Sequence, residues 1–193
     1  MTNLKGVSKI IEIYTDGSAG PTNPGPGAFG VVVVDKRKDD EQDNIINVYQ
    51  YIEDGDTTNN RMEMKAIIWA LKHYGVKLSD SIFTIPPTVY SDSSYAVNTF
   101  TDWIFGWRNK GWRKANNQEP ENMDLLKEFI DLYDDGLRID LRKVKGHAGN
   151  KYNEIADKIA SRKVKYSVEI DGQEIWFDSN IMKSVEIQKP IEL

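Results

Sequence analysis

Three β-prone runs precede the first strong helical signal of this chain. Residues 10–15 (IIEIYT) read as one strand, "AFGVVVVD" over 28–35 as a second, and "NIINVYQYIE" over 44–53 as a third. A Gly/Pro loop and the charged turn "DKRKDDEQD" join them, so the three form an antiparallel meander. The period then changes. Met62, Ala66, Ile67, Ala70, Leu71 and Tyr74 recur at helical spacing and predict a helix over 57–75. Thr58, Asn59 or Asn60 can cap its start and Gly75 its end. A strand over 88–92, a broken helix over 93–107, an exposed loop over 108–121 and a helix over 122–136 follow. A strand from 137 and a helix from 150 complete the pattern. The order β-β-β-α-β-α-α-β-α implies an α/β fold with a five-stranded mixed sheet, three antiparallel strands and then parallel ones, flanked by helices. Residues 166–193 break the pattern: "YSVEIDGQEIWFD" alternates around Asp171-Gly172, a hairpin signal. The chain therefore reads as a domain over 1–165 with a C-terminal β-hairpin-like extension over 166–193.

Carboxylates fall at related places in these elements. Asp16 ends the first strand, Asp92 ends the strand over 88–92, and Glu63 lies in the first turn of the long helix. If the first and fourth strands are parallel neighbours, Asp16 and Asp92 emerge at one edge, and a helix packed on the sheet can aim Glu63 there. Asp157 sits among Ile155, Ala156, Ile159 and Ala160, where a carboxylate needs a partner. Singly, such an acid is more often a cap or a surface charge than a ligand. Gathered, they would repel one another and call for divalent cations. The 193-residue chain has no cysteine, which excludes thiolate sites and leaves oxygen ligation of the magnesium or manganese type. No apolar run is long enough to span a membrane, and the N-terminus lacks a signal-peptide core. The expectation is a cytoplasmic protein that acts as a monomer.

"YTDGS", "NPGPGAFG", "TTNNRMEM", "YSDSSY" and "VKGHAGNKYNEIAD" together resemble the type 1 ribonuclease H family in order and spacing, over roughly residues 8–165. The resemblance implies the ribonuclease H-like fold and a metal-dependent endonuclease. Such an enzyme cuts the RNA strand of an RNA–DNA hybrid without sequence preference, leaving 5′-phosphate and 3′-hydroxyl ends, in primer and R-loop removal. It implies two Mg2+ ions bound with substrate, Mn2+ being a possible substitute. Asp16 would bridge both ions, Asp157 would help hold the ion carrying the attacking water, and Glu63 and Asp92 would hold the other. Glu63 would also lie near the 2′-hydroxyl beside the scissile phosphate. His147 would assist proton transfer or product release from a Gly-flanked loop.

The resemblance also places the substrate. Asn23, Asn59 and Asn60 fall at RNA- or groove-contacting positions, and Thr58 and Asn122 at a pocket for a DNA phosphate. Tyr95 and Trp107 match a channel for the DNA strand. "WIFGWRNKGWRK" over 103–114 resembles a basic handle in which Trp107 and Trp112 alternate with Arg108, Lys110, Arg113 and Lys114. Trp103 is expected in the core. A net charge of −5 makes such a local basic patch necessary for any nucleic-acid partner. Asp56 stands where many relatives carry a basic residue, which weakens the phosphate pocket and predicts a modest, salt-sensitive affinity. A non-catalytic binding module, or another nuclease of the same fold, are the competing readings. The intact carboxylates argue against the first, the handle against the second.

Overall fold

The computed structural model describes residues 10–36, 44–77, 85–146 and 148–161, and the backbone of three strands within 166–186. Most of the charged turn (37–43), His147 and the Asp171-Gly172 turn lie outside the described residues. Strands β1 (Ile11–Ala19), β2 (Gly25–Asp35) and β3 (Asn44–Thr57) form the expected antiparallel meander. All three are longer than their apolar runs. β1 continues past Asp16 because Gly17, Ser18 and Ala19 pair with Phe29, Ala28 and Gly27, so the connecting loop shrinks to residues 20–24. Asp16 is thus inside β1 rather than at its end: backbone pairing carries the strand through residues of low β propensity.

Helix α1 (Asn59–Tyr74) follows, with Thr58 as its N-cap; the Thr58 hydroxyl accepts from the Arg61 N–H. A two-stranded ribbon joins β4 (Val76–Lys77) to β6 (Leu137–Arg138). Strand β5 (Thr88–Ser91) runs parallel to β1, and β7 (Asp140–Lys143) parallel to β5. The strand expected from residue 137 is split between β6 and β7. Between β5 and β7 the chain forms α2 (Ser94–Asn98), a π-helical turn over Thr99–Trp103, α3 (Ile104–Asn109) and α4 (Met123–Asp134). The break expected in the helix over 93–107 is that π turn. Helix α5 (Lys151–Ala160) closes the unit, capped by the Asn150 side chain, which accepts from the N–H groups of Tyr152 and Asn153.

Alternation along β2 explains the layering. Val31 and Val33 face α1 with Ile13, Met62, Ala66 and Ala70, while Val32 and Val34 face α5 with Tyr14, Ile155 and Ile159. A third cluster joins α1 to α2, α3 and α4 through Ile67, Leu71, Ala96, Ile104, Leu126 and Phe129. Each fully buried Leu, Ile, Val or Phe side chain contributes about 1.5–3 kcal/mol of transfer free energy. Strands β8 (Tyr166–Ile170) and β9 (Gln173–Phe177) pair antiparallel, as the hairpin pattern predicts. The extension adds something the sequence pattern did not show. Strand β10 (Ser184–Glu186) pairs with β3, making the sheet six-stranded in the order β10-β3-β2-β1-β5-β7. No helix among the described residues is long and apolar enough to cross a membrane.

Candidate active site

The parallel pairing of β1 with β5 sets the site. Thr15 pairs with Ser91, so the next residues along the two strands, Asp16 and Asp92, leave the register side by side. Helix α1 brings in Glu63. It can do so because β1 has glycine at position 17: a β-carbon there would lie 2.1 Å from the Glu63 nitrogen and 2.4 Å from the Met62 carbonyl carbon. The result is one carboxylate oxygen from each of Asp16, Glu63 and Asp92, all within 4.8 Å of one another. Asp16 and Glu63 are each only 7% exposed, while Asp92 is half-buried.

Neighbouring groups hold these acids in place. Ser91 Oγ donates to Glu63 Oε2 at 3.3 Å and itself accepts from the Ser93 N–H at 3.1 Å. Asn153, one turn before Asp157 on α5 and 2% exposed, donates from Nδ2 to Asp92 Oδ2 at 3.4 Å. The loop after β7 lies against Asp92 so closely that a β-carbon on Gly146 would meet Asp92 Oδ2 at 2.5 Å. That loop leads directly into position 147. Asn153 is the residue sequence reasoning missed. Its one available signal was a polar residue on the apolar face of the last helix.

Crowding and burial mark the cluster electrostatically. Burial first, then the charges of Asp92 and Asp157, push the Asp16 carboxyl up to about 8. Hydrogen bonds involving the Gly17 N–H and Glu63 pull it only part of the way back. Burial, then Asp16 and Asp92, likewise raise Glu63 well above the usual carboxylate range, against hydrogen bonds with Gly17 and Ser91. Asp157 is half-buried; its charge reaches Asp16, but it stands outside the close group of three. The Ser161 hydroxyl donates to the Asp157 carbonyl at 2.6 Å.

The model RNase H profile of the family matches residues 8–165. Curated ribonucleases H from Caldanaerobacter subterraneus and Shewanella denitrificans are 37% and 42% identical over 163 and 154 residues. These alignments cover 84% and 79% of this chain and 95% and 85% of those proteins. The chain belongs to the RNase H family. Membership makes it a metal-dependent phosphodiester hydrolase. The crystal structure of LC9-RNase H1, a type 1 RNase H with the type 2 active-site motif, superposes with a TM-score of 0.63 at 27% identity, covering 89% of this chain and 78% of that one.

Around the RNase H carboxylates lies a polar rim. Asn59 Oδ1 accepts from the Ala19 N–H at 2.6 Å, and the Asn59 N–H donates to Asn23 Oδ1 at 3.3 Å. Asn23 and Asn59 are therefore joined across the loop and the helix start, and both are exposed, as is Asn60. Thr58 is half-buried and serves as a cap. On the other side, Tyr95 packs edge-on to Trp103 (6.1 Å between centroids), and Trp103 packs against Trp107 (5.9 Å). Trp103 is 38% exposed, so its expected place in the core is wrong. The π turn carries Trp103 outward, while Trp107 and Trp112 are half-buried against the helical core cluster. Arg108, Lys110 and Arg113 are exposed and Lys114 is half-buried. Arg108 spends its charge locally, in a two-pronged pair with Asp134 at 2.9 and 2.7 Å.

Proposed function

We propose that this chain hydrolyses the RNA strand of an RNA–DNA hybrid, independent of sequence, leaving 5′-phosphate and 3′-hydroxyl ends, with two divalent cations. The reading is carried by the packed oxygens of Asp16, Glu63 and Asp92, with the Asp16 and Glu63 carboxyls lifted in pKa by burial and by neighbouring carboxylates. An all-oxygen, cysteine-free donor set of this kind fits Mg2+, with Mn2+ as a substitute. When bound, such ions activate water and stabilise the leaving oxygen of a phosphodiester. Asp16, Glu63, Asp92 and Asp157 would hold the ions, with Asp16, whose pKa both Asp92 and Asp157 raise, as the ligand the two sites would share. Ser91 and Asn153 keep Glu63 and Asp92 aimed, and His147 assists proton transfer or product release.

The polar rim supplies selectivity. Asn23, Asn59 and Asn60 reach 2′-hydroxyls and the RNA backbone, while Thr58 and Asn122 take a DNA phosphate. Tyr95 and Trp107 accommodate deoxyribose, and Lys110, Arg113 and Lys114, with Arg108 and Trp112 beside them, hold the backbone. The proposed role is primer and R-loop removal in the cytoplasm, by a single copy of the chain. Labelled RNA–DNA hybrid, duplex DNA and duplex RNA, each incubated with magnesium, test the reading. Loss of the RNA strand of the hybrid alone is expected; cleavage of duplex DNA, or of no substrate, overturns it.

A further inference from the structure

Asn122 occupies the N-cap position of α4 but does not act as a cap. Its backbone is left-handed (φ 60°, ψ 38°), and its side chain makes no capping hydrogen bond. An asparagine there ordinarily turns its oxygen onto the N–H groups of the first turn. Here Asn122 Oδ1 accepts instead from Arg61 Nη1 at 3.1 Å. Arg61 is fixed in turn by Asp124, with Nη1 to Oδ1 at 2.9 Å and Nη2 to Oδ2 at 2.6 Å. The Arg61 N–H also donates to Thr58 Oγ1 at 3.3 Å, so one residue touches both members of the phosphate pocket.

Arginine has only donors, so the Asn122 atom facing Arg61 must be the carbonyl oxygen. A planar amide held by its oxygen has its NH2 fixed on the other prong. An interaction of Asn122 with the Tyr95 hydroxyl offsets part of the rise burial causes in Tyr95. The NH2 carries two hydrogens for acceptors. We propose that Arg61 is a positioning residue for the DNA strand: clamped by Asp124, it turns the Asn122 amide so that its NH2, beside Thr58, meets a DNA phosphate oxygen. This rests on the assignment of Thr58 and Asn122 to that phosphate. It also explains how the pocket operates with Asp56 where a basic residue would otherwise stand. Because Asp124 already neutralises Arg61, the contribution is orientation rather than charge.

Steady-state cleavage of a defined hybrid by the full chain tests this, comparing wild type with Arg61→Met, Asn122→Ala, the double variant and Arg61→Lys. Asn122→Ala is expected to raise KM about tenfold with kcat little changed, as for loss of a hydrogen bond to a charged group. Arg61→Met should raise KM about fivefold, and the double variant should be no worse than Asn122→Ala alone. The slope of log KM against log salt should not change in Arg61→Met, whereas loss of a direct phosphate contact would lower it by about one. Arg61→Lys, which keeps a donor, should recover most of the loss. An unchanged KM in Arg61→Met, additivity in the double variant, or a reduced salt slope each overturns the positioning role while leaving Asn122 as a ligand. An unchanged KM in Asn122→Ala instead removes the phosphate assignment, and the proposal with it. If Arg61→Met fails to fold, Asp124→Asn replaces it, with a smaller KM rise expected and an unchanged KM decisive against.

Discussion

At the scale of single residues, the site trades stability for chemistry. The Asp16 carboxyl is raised to about 8, above the value near 3.8 it has when unfolded. Its favourable contribution to folding is therefore full below pH 4 and is lost as pH rises toward 8. Asp16→Asn removes that loss. In the metal-free protein at pH 7 it should melt roughly 5 °C higher than wild type, with the gap closing toward pH 4. Thermal melts across pH with a chelator present check this, and a lower melting temperature for the variant at pH 7 would count against a destabilising buried charge. Added Mg2+ should raise the melting temperature of wild type more than that of Asp16→Asn, because the variant lacks one of the proposed metal ligands. Asp92→Asn should lower cleavage roughly a thousandfold while leaving circular dichroism unchanged. Retention of most of the activity would sink the carboxylate cluster as the centre.

At the scale of elements, the site depends on how closely α1 can approach β1. The room for that approach is set at Gly17, where a β-carbon would sit 2.1 Å from the Glu63 nitrogen. Gly17→Ala must push the helix away from the strand. The expected cost is about 1–3 kcal/mol of stability from overpacking, with kcat falling more than KM rises, since Glu63 moves and the rim is less affected. Urea unfolding and steady-state kinetics on the same preparation measure both; a stable, fully active Gly17→Ala would show that the helix has slack. This dependence also explains what was legible in the sequence. Apolar periods located α1 and β5, and the parallel pairing expected of the first and fourth strands brought Asp16 beside Asp92. Strand ends were misread because cross-strand pairing, not side-chain propensity, extends β1 through Asp16 to Ala19. Trp103 was misplaced because the break expected in the helix over 93–107 is a π turn, which shifts the facing of the residues around it in a way the apolar pattern does not show. Asn153 escaped notice because it carries no charge and its partner, Asp92, lies 61 residues earlier in the chain.

At the scale of the whole molecule, the extension and the carboxylates belong to different parts of the sheet. β10 pairs with β3 through Ser184, Val185 and Glu186, opposite Tyr49, Val48 and Asn47. β2 and β3 stand between β10 and the strand that carries Asp16. Among the described residues, the cluster of Asp16, Glu63 and Asp92 and the polar rim around it are built from the part of the chain before 165. What β10 covers is the edge of β3, whose unpaired N–H and C=O groups would otherwise be free to pair with another chain. A chain ending at residue 165 should therefore cleave hybrid with kcat and KM within about twofold of the full chain, because every described residue that shapes the site is kept. It should also associate more readily as concentration rises, through the uncovered β3 edge. Light scattering on both chains over a range of concentrations, beside a hybrid-cleavage assay, separates the two effects. Equal association would mean that β10 does not protect the edge, and a large loss of activity in the monomeric truncated chain would mean that the extension reaches the substrate.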